Sequence, residues 1–511
     1  MPTQQQKKPG DSLFRRSAVI VAVSLGLGIL FNVLFYGHVP GLSFPVFTIA
    51  GLIAVVVLAR IYGVVIPRQA AIVSAPLLFF SSMVYVRAND GVTFCNVVVS
   101  LYLAFLMLYL IYRPALRELT IVDYVAMPFR QLRLYPRAVR STLATAAGMQ
   151  QFVRQHKHAP QIVRGIAIAV PLLVVFTALF ASADLVFRHY VSNLFQLHVN
   201  GSVIVQAIVI ALATLMAIGG LTWLLHRPSQ TVVKTRRAPA IAFGRIEMTI
   251  LFGSLNVLFL AFIIVQLAYL FGGERIIAQG YTYAQYARKG FFELIAVAAI
   301  SFVVIWAAER LLSVQSERHS RRFRWLSAAL VVQVLIIMVS AFKRLGLYES
   351  AYGFTNLRFY SHVAIIWLAV VLCCLLYKIM RSLREGTFAL LLFCSAIAVL
   401  AVMNLMNVDG FIARQNIARY NATGKIDATY LAYLSDDAVP TTISLLHARD
   451  AWVQAEYASA LSWRQHELQV TGQDWRSMNL SRERARSVLG QSEDDILRLR
   501  IPSRSYGAGL R

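Results

Sequence analysis

The sequence predicts an all-α polytopic membrane protein. Three observations carry that reading. The 511 residues are 58% hydrophobic and only 14% charged, against roughly half apolar and a quarter charged in soluble domains. The apolar residues fall into runs of about 17 to 27, the length a helix needs to cross hydrocarbon. The basic residues are concentrated in alternate loops, as topology requires of a multi-spanning chain.

Eleven spans are expected, at 17–37, 43–59, 70–86, 91–112, 165–183, 202–225, 246–272, 291–312, 325–342, 361–378 and 387–406. Helices are the natural form, because lipid offers no partners for exposed backbone groups. The N-terminal tail, 1–16, is basic and then apolar like a signal peptide. The following run is too long and lacks a small-residue cleavage site, so it reads as a retained first span. Residues 17–112 form a four-helix region, and 165–406 a seven-helix region. Between them, 113–164 is a basic loop with nine Lys/Arg against Glu118 and Asp123. Its leucines and arginines suit a helix lying along the membrane surface; a docking site for a cytoplasmic partner is the alternative.

With the N-terminus inside, the inner segments hold 28 Lys/Arg and 7 Asp/Glu. The outer loops hold 8 and 5, and the tail after residue 406 holds 13 and 12. This partition places the N-terminus in the cytoplasm and the C-terminus outside it. It also explains the net charge of +25 and the pI near 10.3. Anionic lipid headgroups at the cytoplasmic face are the natural partners, and nucleic acid is not. The tail, 407–511, contains no span. Pro440 follows a plausible helix start, and Leu445, Leu446, Trp452, Val453 and Leu461 recur at helical spacing. A small helical extracytoplasmic domain is expected there, able to bind an envelope protein.

Polar residues gather at the outer ends of the spans. Asp184 closes the fifth and Gln266 lies in the outer third of the seventh. The loop before the eighth carries Tyr283, Tyr286 and Arg288, and Glu293 stands just inside that span. Arg344, Tyr348, Tyr352, Arg358 and His362 lie in the fifth external segment, with Glu349. Asn404, Asn407 and Asp409 mark the exit of the last span. Tyrosines suit the interfacial aromatic belt, and buried polar groups near a membrane are usually paired or functional. Glu293 is expected to pair with Arg344 or Arg358 across an outward-opening pocket, or with Lys289 one turn away. The whole cluster is either a hydrogen-bonded staple joining helix ends or a binding cavity. The inner ends read mostly as plain Lys/Arg anchors.

No metal or cofactor site is expected. Cys95, Cys373, Cys374 and Cys394 all lie in spans without a CxxC pattern, and there is neither HExxH nor GxSxG. AlaThrGlyLys at 422–425 lacks the glycine and Ser/Thr of a P-loop.

The stretch TyrAlaGlnTyrAlaArgLysGlyPhePheGluLeu at 283–294 resembles a segment of an uncharacterised bacterial membrane family, the domain-of-unknown-function family numbered 4173. PheAlaSerAlaAspLeuValPhe at 180–187, the segment from ArgLeuGlyLeuTyr through Arg358, AsnValAspGlyPheIleAlaArgGlnAsnIleAlaArgTyr at 407–420 and the segment 427–440 are similar to others of its stretches. The resemblance spans roughly 165–445. It implies a bacterial integral membrane protein and supplies no activity or catalytic residue. A non-enzymatic envelope protein whose outer cluster binds a ligand or partner is therefore the leading expectation. The span centres lack charge, which counts against the alternative of a secondary transporter or channel. The first external loop lacks an acid, which counts against an enzyme acting on a lipid-linked substrate.

Overall fold

The computed structural model describes residues 9–111, 115–146, 201–224, 245–271, 291–311, 317–470 and 474–500. These are mostly helical, with no strand among them, and ten of their helices are long and apolar enough to cross a membrane. They are α1 (Pro9–Phe35), α2 (Ser43–Tyr62), α3 (Arg68–Val86), α4 (Asp90–Leu110), α6 (Gly201–Thr222), α7 (Arg245–Phe271), α8 (Phe291–Leu311), α9 (Glu317–Tyr352), α10 (Asn356–Arg381) and α11 (Glu385–Met406). The remaining expected span, 165–183, lies outside the described residues. The largest departure is α9, whose 36 residues exceed the expected 325–342. At 1.5 Å per residue it is about 54 Å long, so its charged ends continue past a hydrocarbon core of about 30 Å. Hydropathy registers only the buried middle of such a helix.

The chain divides into two compact units. The first comprises Met1–Leu78, Leu101–Arg113 and Ala126–Gln230. Within it α1 packs along α6, where a Cβ on Gly28 would lie 2.1 Å from Thr214 Oγ1. Only glycine permits that approach, the small-residue packing that helices use in lipid. Asn32 donates to Gln206 across the same seam at 3.3 Å. The helix α5 (Ile121–Ala146) runs through the basic segment, and the part of it in this unit leaves Phe129 and Leu132 exposed beside its arginines.

The second unit comprises Phe79–Ser100, Pro114–Val125 and Thr231–Arg511. Here α9 packs on α7, α8 and α10 around Phe252, Ala298, Leu330, Val334, Leu372 and Phe388. The tail folds as α12 (Val408–Thr423), α13 (Ala428–Ala432), α14 (Val439–Thr442), α15 (Ala451–Val470), α16 (Leu480–Gln491) and α17 (Glu493–Leu499). Its start signals are local: the side chains of Asn407, Asp427 and Asn479 cap α12, α13 and α16, and Pro440 sits in the first turn of α14. Capping satisfies amides that the first helical turn leaves unpaired. Leu445, Leu446, Val453 and Leu461 are buried as their spacing predicts, but Trp452 is 57% exposed. Val453, Tyr457 and Leu461 hold the inward face of α15, and Trp452 stands about 100° round the helix from it. The tail's core also takes in Val92, Phe359 and Met403. It is thus built directly on the ends of α4, α10 and α11.

Candidate functional site

Three polar assemblies stand out among the described residues of the second unit. The first joins the tail to the span ends. Asp437, 5% exposed, accepts from the backbone amides of Ala88 and Asn89 through Oδ2, each at 2.9 Å. Its Oδ1 accepts from the Ser481 hydroxyl and lies 3.6 Å from Arg87 Nη1. Arg87 also donates to the carbonyls of Asn404 and Leu405, the last turn of α11, where unpaired carbonyls await partners. Asp409 accepts from the Asn89 side chain and from the amide and hydroxyl of Ser435, all through Oδ2. Its Oδ1 is buried without a hydrogen-bond partner among the described residues. Asn96 and Asn404 exchange amide hydrogen bonds at 2.8 Å in both directions. Asn407, at φ 54°, caps α12 and donates to the Asp437 carbonyl at 3.0 Å. Asn479 donates to the carbonyls of Val84 and Arg87.

Beside this lies a cavity of about 380 Å³ at the junction of α9, α10, α12 and α13. It is lined by Tyr352, Thr355, Arg358, Asn416, Arg419, Lys425, Asp427 and Tyr430, among others. Gly353, at φ +81°, makes the turn that brings α9 into α10. A Cβ there would lie 2.5 Å from Asn416 Oδ1. Asn416 holds the turn by accepting from the Phe354 amide at 2.9 Å and donating to its carbonyl at 2.8 Å. Arg419 donates to the carbonyls of Ser350, Ala351 and Lys425. Arg358 donates to the Gly353 carbonyl, with its guanidinium 4.2 Å from the Tyr348 ring centre. Lys425 is exposed, and its ammonium has no partner among the described residues. None of these three cations is ion-paired there, so their carbonyl partners leave the positive charge unneutralised and Asp427 offsets only part of it. Tyr430 accepts from the Asn356 amide at 2.8 Å. Burial first, and then Asp409, pushes its phenol above the ordinary range despite the opposing Asn356 bond. The hydroxyl therefore remains protonated and able to donate.

The third assembly lies at the opposite ends of the spans. Lys378, 2% exposed, has its ammonium 2.7 Å from Glu309 and 2.5 Å from Glu385. Glu385 also receives Arg310 at 2.7 Å and the Trp306 indole at 3.2 Å. These ends are not plain anchors but a charge-balanced network tying α8, α10 and α11 together.

Among the residues singled out in the sequence, Asn404, Asn407 and Asp409 meet in the first assembly. Tyr352 and Arg358 line the cavity, and Tyr348 lies beneath Arg358. His362 Nδ1 is 3.1 Å from Glu349 Oε1, with the Phe342 ring 4.5 Å from the imidazole. Arg344 lies one helical turn before Tyr348 on α9. Gln266 is buried on α7 and joins none of these groups. Asp184, Tyr283, Tyr286 and Arg288 lie outside the described residues, as does Lys289. The expected pairing of Glu293 with Arg344 or Arg358 does not form. Glu293 is exposed in the first turn of α8, without a hydrogen bond or ion pair among the described residues. A carboxylate there is favoured by the unpaired amides and positive dipole end of the helix, and needs no arginine. Sequence reasoning missed Arg87, Asn89, Ser435, Asp437, Asn479 and Ser481. Only the density of polar residues in ArgAlaAsnAsp at 87–90, where one span ends and the next begins, signals them.

A family model described as Domain of unknown function (DUF4153) matches residues 74–445. This corrects the family number 4173 and extends the resemblance toward the N-terminus to include α4 and most of α3. No curated protein and no solved structure matches the chain.

Proposed function

We propose that this chain, which belongs to the family described as Domain of unknown function (DUF4153), is a non-enzymatic bacterial inner-membrane protein that binds an anionic ligand in the cavity ringed by Arg358, Arg419 and Lys425. Its role is that of a sensor, accessory subunit or scaffold, with the cavity on the periplasmic side. The observation that carries the reading is three cations around one polar cavity with no ion pair among the described residues. A phosphate or carboxylate there would take charge-assisted hydrogen bonds. The orientation rests on the distribution of Lys and Arg between alternate loops. A periplasmic reporter fused after residue 430 is expected to be active and one placed within 120–155 inactive.

The binding test uses purified full-length protein in neutral detergent, titrated calorimetrically with inorganic phosphate and with glycerol 3-phosphate, glycerol being the uncharged control. The Lys425 side chain bonds to nothing among the described residues, so Lys425→Ala should leave the fold intact. It should weaken anion binding by about 10-fold or more, the worth of one charge-assisted bond. Absence of binding, or equal binding by the variant, refutes the reading.

A further inference from the structure

We infer that the ligand of this cavity is an anionic phospholipid, with its phosphate held by Arg358, Arg419 and Lys425 and an acyl chain lying in the apolar groove between α9 and α10. The inference rests on the binding role proposed above and names the ligand class.

The groove is the second observation. It has a volume of about 640 Å³ and runs along the same two helices, lined on α9 by Met338 and Phe342 and on α10 by Ile365, Val370 and Cys373. These positions fall inside the stretches of both helices that are apolar enough to cross a membrane. A chain-shaped apolar ligand fits such walls, and a soluble anion would use none of them.

The two features follow one another along the same two helices. Phe342 precedes the cavity residue Ala351 by nine positions, and Ile365 follows Arg358 by seven. At 1.5 Å per residue the groove's upper end lies roughly 10–14 Å below the cavity. Between them, on the same pair of helices, His362 faces Glu349 and the Phe342 ring packs on the imidazole. The order is cationic, then polar, then apolar. That is also the order of phosphate, glycerol ester and acyl chain in a phospholipid. The level of the cavity agrees with an interfacial headgroup. Tyr348 and Tyr352 pack with ring centres 5.1 Å apart, and Leu347 and Leu357 are more than half exposed at the same height. Aromatic side chains favour the headgroup region, and exposed leucines favour lipid.

The test combines retention and access. Full-length protein in neutral detergent is offered phosphatidylglycerol, phosphatidylcholine or glycerol 3-phosphate, and bound lipid is counted by native mass spectrometry. A Cys95→Ser, Cys374→Ser, Cys394→Ser background leaves Cys373 as the single thiol, and its rate of alkylation reports groove occupancy. Phosphatidylglycerol should be retained at least 10-fold over phosphatidylcholine and should slow Cys373 alkylation several-fold. Both effects should be lost in Lys425→Ala and in the groove-filling Val370→Trp. If Lys425→Ala weakens phosphatidylglycerol and glycerol 3-phosphate equally while Val370→Trp and Cys373 are indifferent, the cavity binds anions and the lipid inference falls. If the two lipids bind alike, the inference falls with the cavity's role in lipid binding. If no anion binds at all, the proposed function falls too. Should Val370→Trp fail to fold, the Cys373 rates decide by themselves.

Discussion

Removing the Asp437 carboxylate should release the tail from the span ends. In Asp437→Ala the amides of Ala88 and Asn89 lose their 2.9 Å acceptor, the Ser481 hydroxyl keeps only the Val86 carbonyl, and Arg87 loses its counter-charge at 3.6 Å. Each orphaned buried donor costs about 1–3 kcal/mol. The Arg87 interaction adds little at that separation, since Arg87 keeps its two carbonyl partners. Allowing for water entry and relaxation, the two amides alone give about 3–4 kcal/mol. At 1.4 kcal/mol per tenfold, the equilibrium constant for opening the tail rises by roughly 150- to 700-fold. Native-state proteolysis in mild detergent reads that constant when closing outruns cleavage. Cleavage after residue 424 should accelerate by about that factor, while Asp437→Asn, which keeps an acceptor oxygen, should shift it far less. A change below about fivefold in Asp437→Ala, with the protein still folded, would refute the argument that this carboxylate anchors the tail.

Three further perturbations follow from the same reasoning. Lys378→Met should cost about 1–3 kcal/mol by leaving the half-buried Glu309 without its cation, while Glu385 keeps Arg310 and the Trp306 indole; Glu309→Gln added to it should recover part of the lost thermal stability in micelles, and an unchanged melting temperature in the single variant would count against the network. Gly353→Ala should destabilise by about 1–3 kcal/mol, from its positive φ and the contact with Asn416, and should weaken phosphate binding at the neighbouring cavity; wild-type stability and binding would show the turn to be tolerant. Burial pushes the Asp436 carboxyl up, against the lowering effect of Arg464 and Arg482. The native state then holds its proton more tightly than the unfolded chain. The associated stability is present below the unfolded value of about 3.9 and declines as pH rises through the raised native value. Asp436→Asn should flatten the tail's stability profile over that window and lose nothing relative to wild type at pH 7; an unchanged profile refutes it.

The sequence by itself determined the class of protein and the placing of its spans. Apolar length and loop charge are local quantities, and lipid allows a helix of that length only one use. The helix start before Pro440 was legible too, because start signals act within a turn; the caps Asn407 and Asp427 follow the same local rule but emerged only with the structure. The polar clustering at the span ends was visible as composition, and Asn404, Asn407, Asp409, Tyr352 and Arg358 were found that way. Partner choice was not visible. Asn89 and Asp409 are 320 positions apart, and Asn479 meets Val84 across 395; nothing in either segment encodes the other. For the same reason sequence offers Glu293 the arginines Arg344 and Arg358, which it does not touch, and the general reading of inner ends as Lys/Arg anchors does not show that two carboxylates enclose Lys378. Tertiary structure decided these because a buried charge or amide is stabilised by whichever group the packing of distant helices brings within about 3 Å, and that distance belongs to the fold.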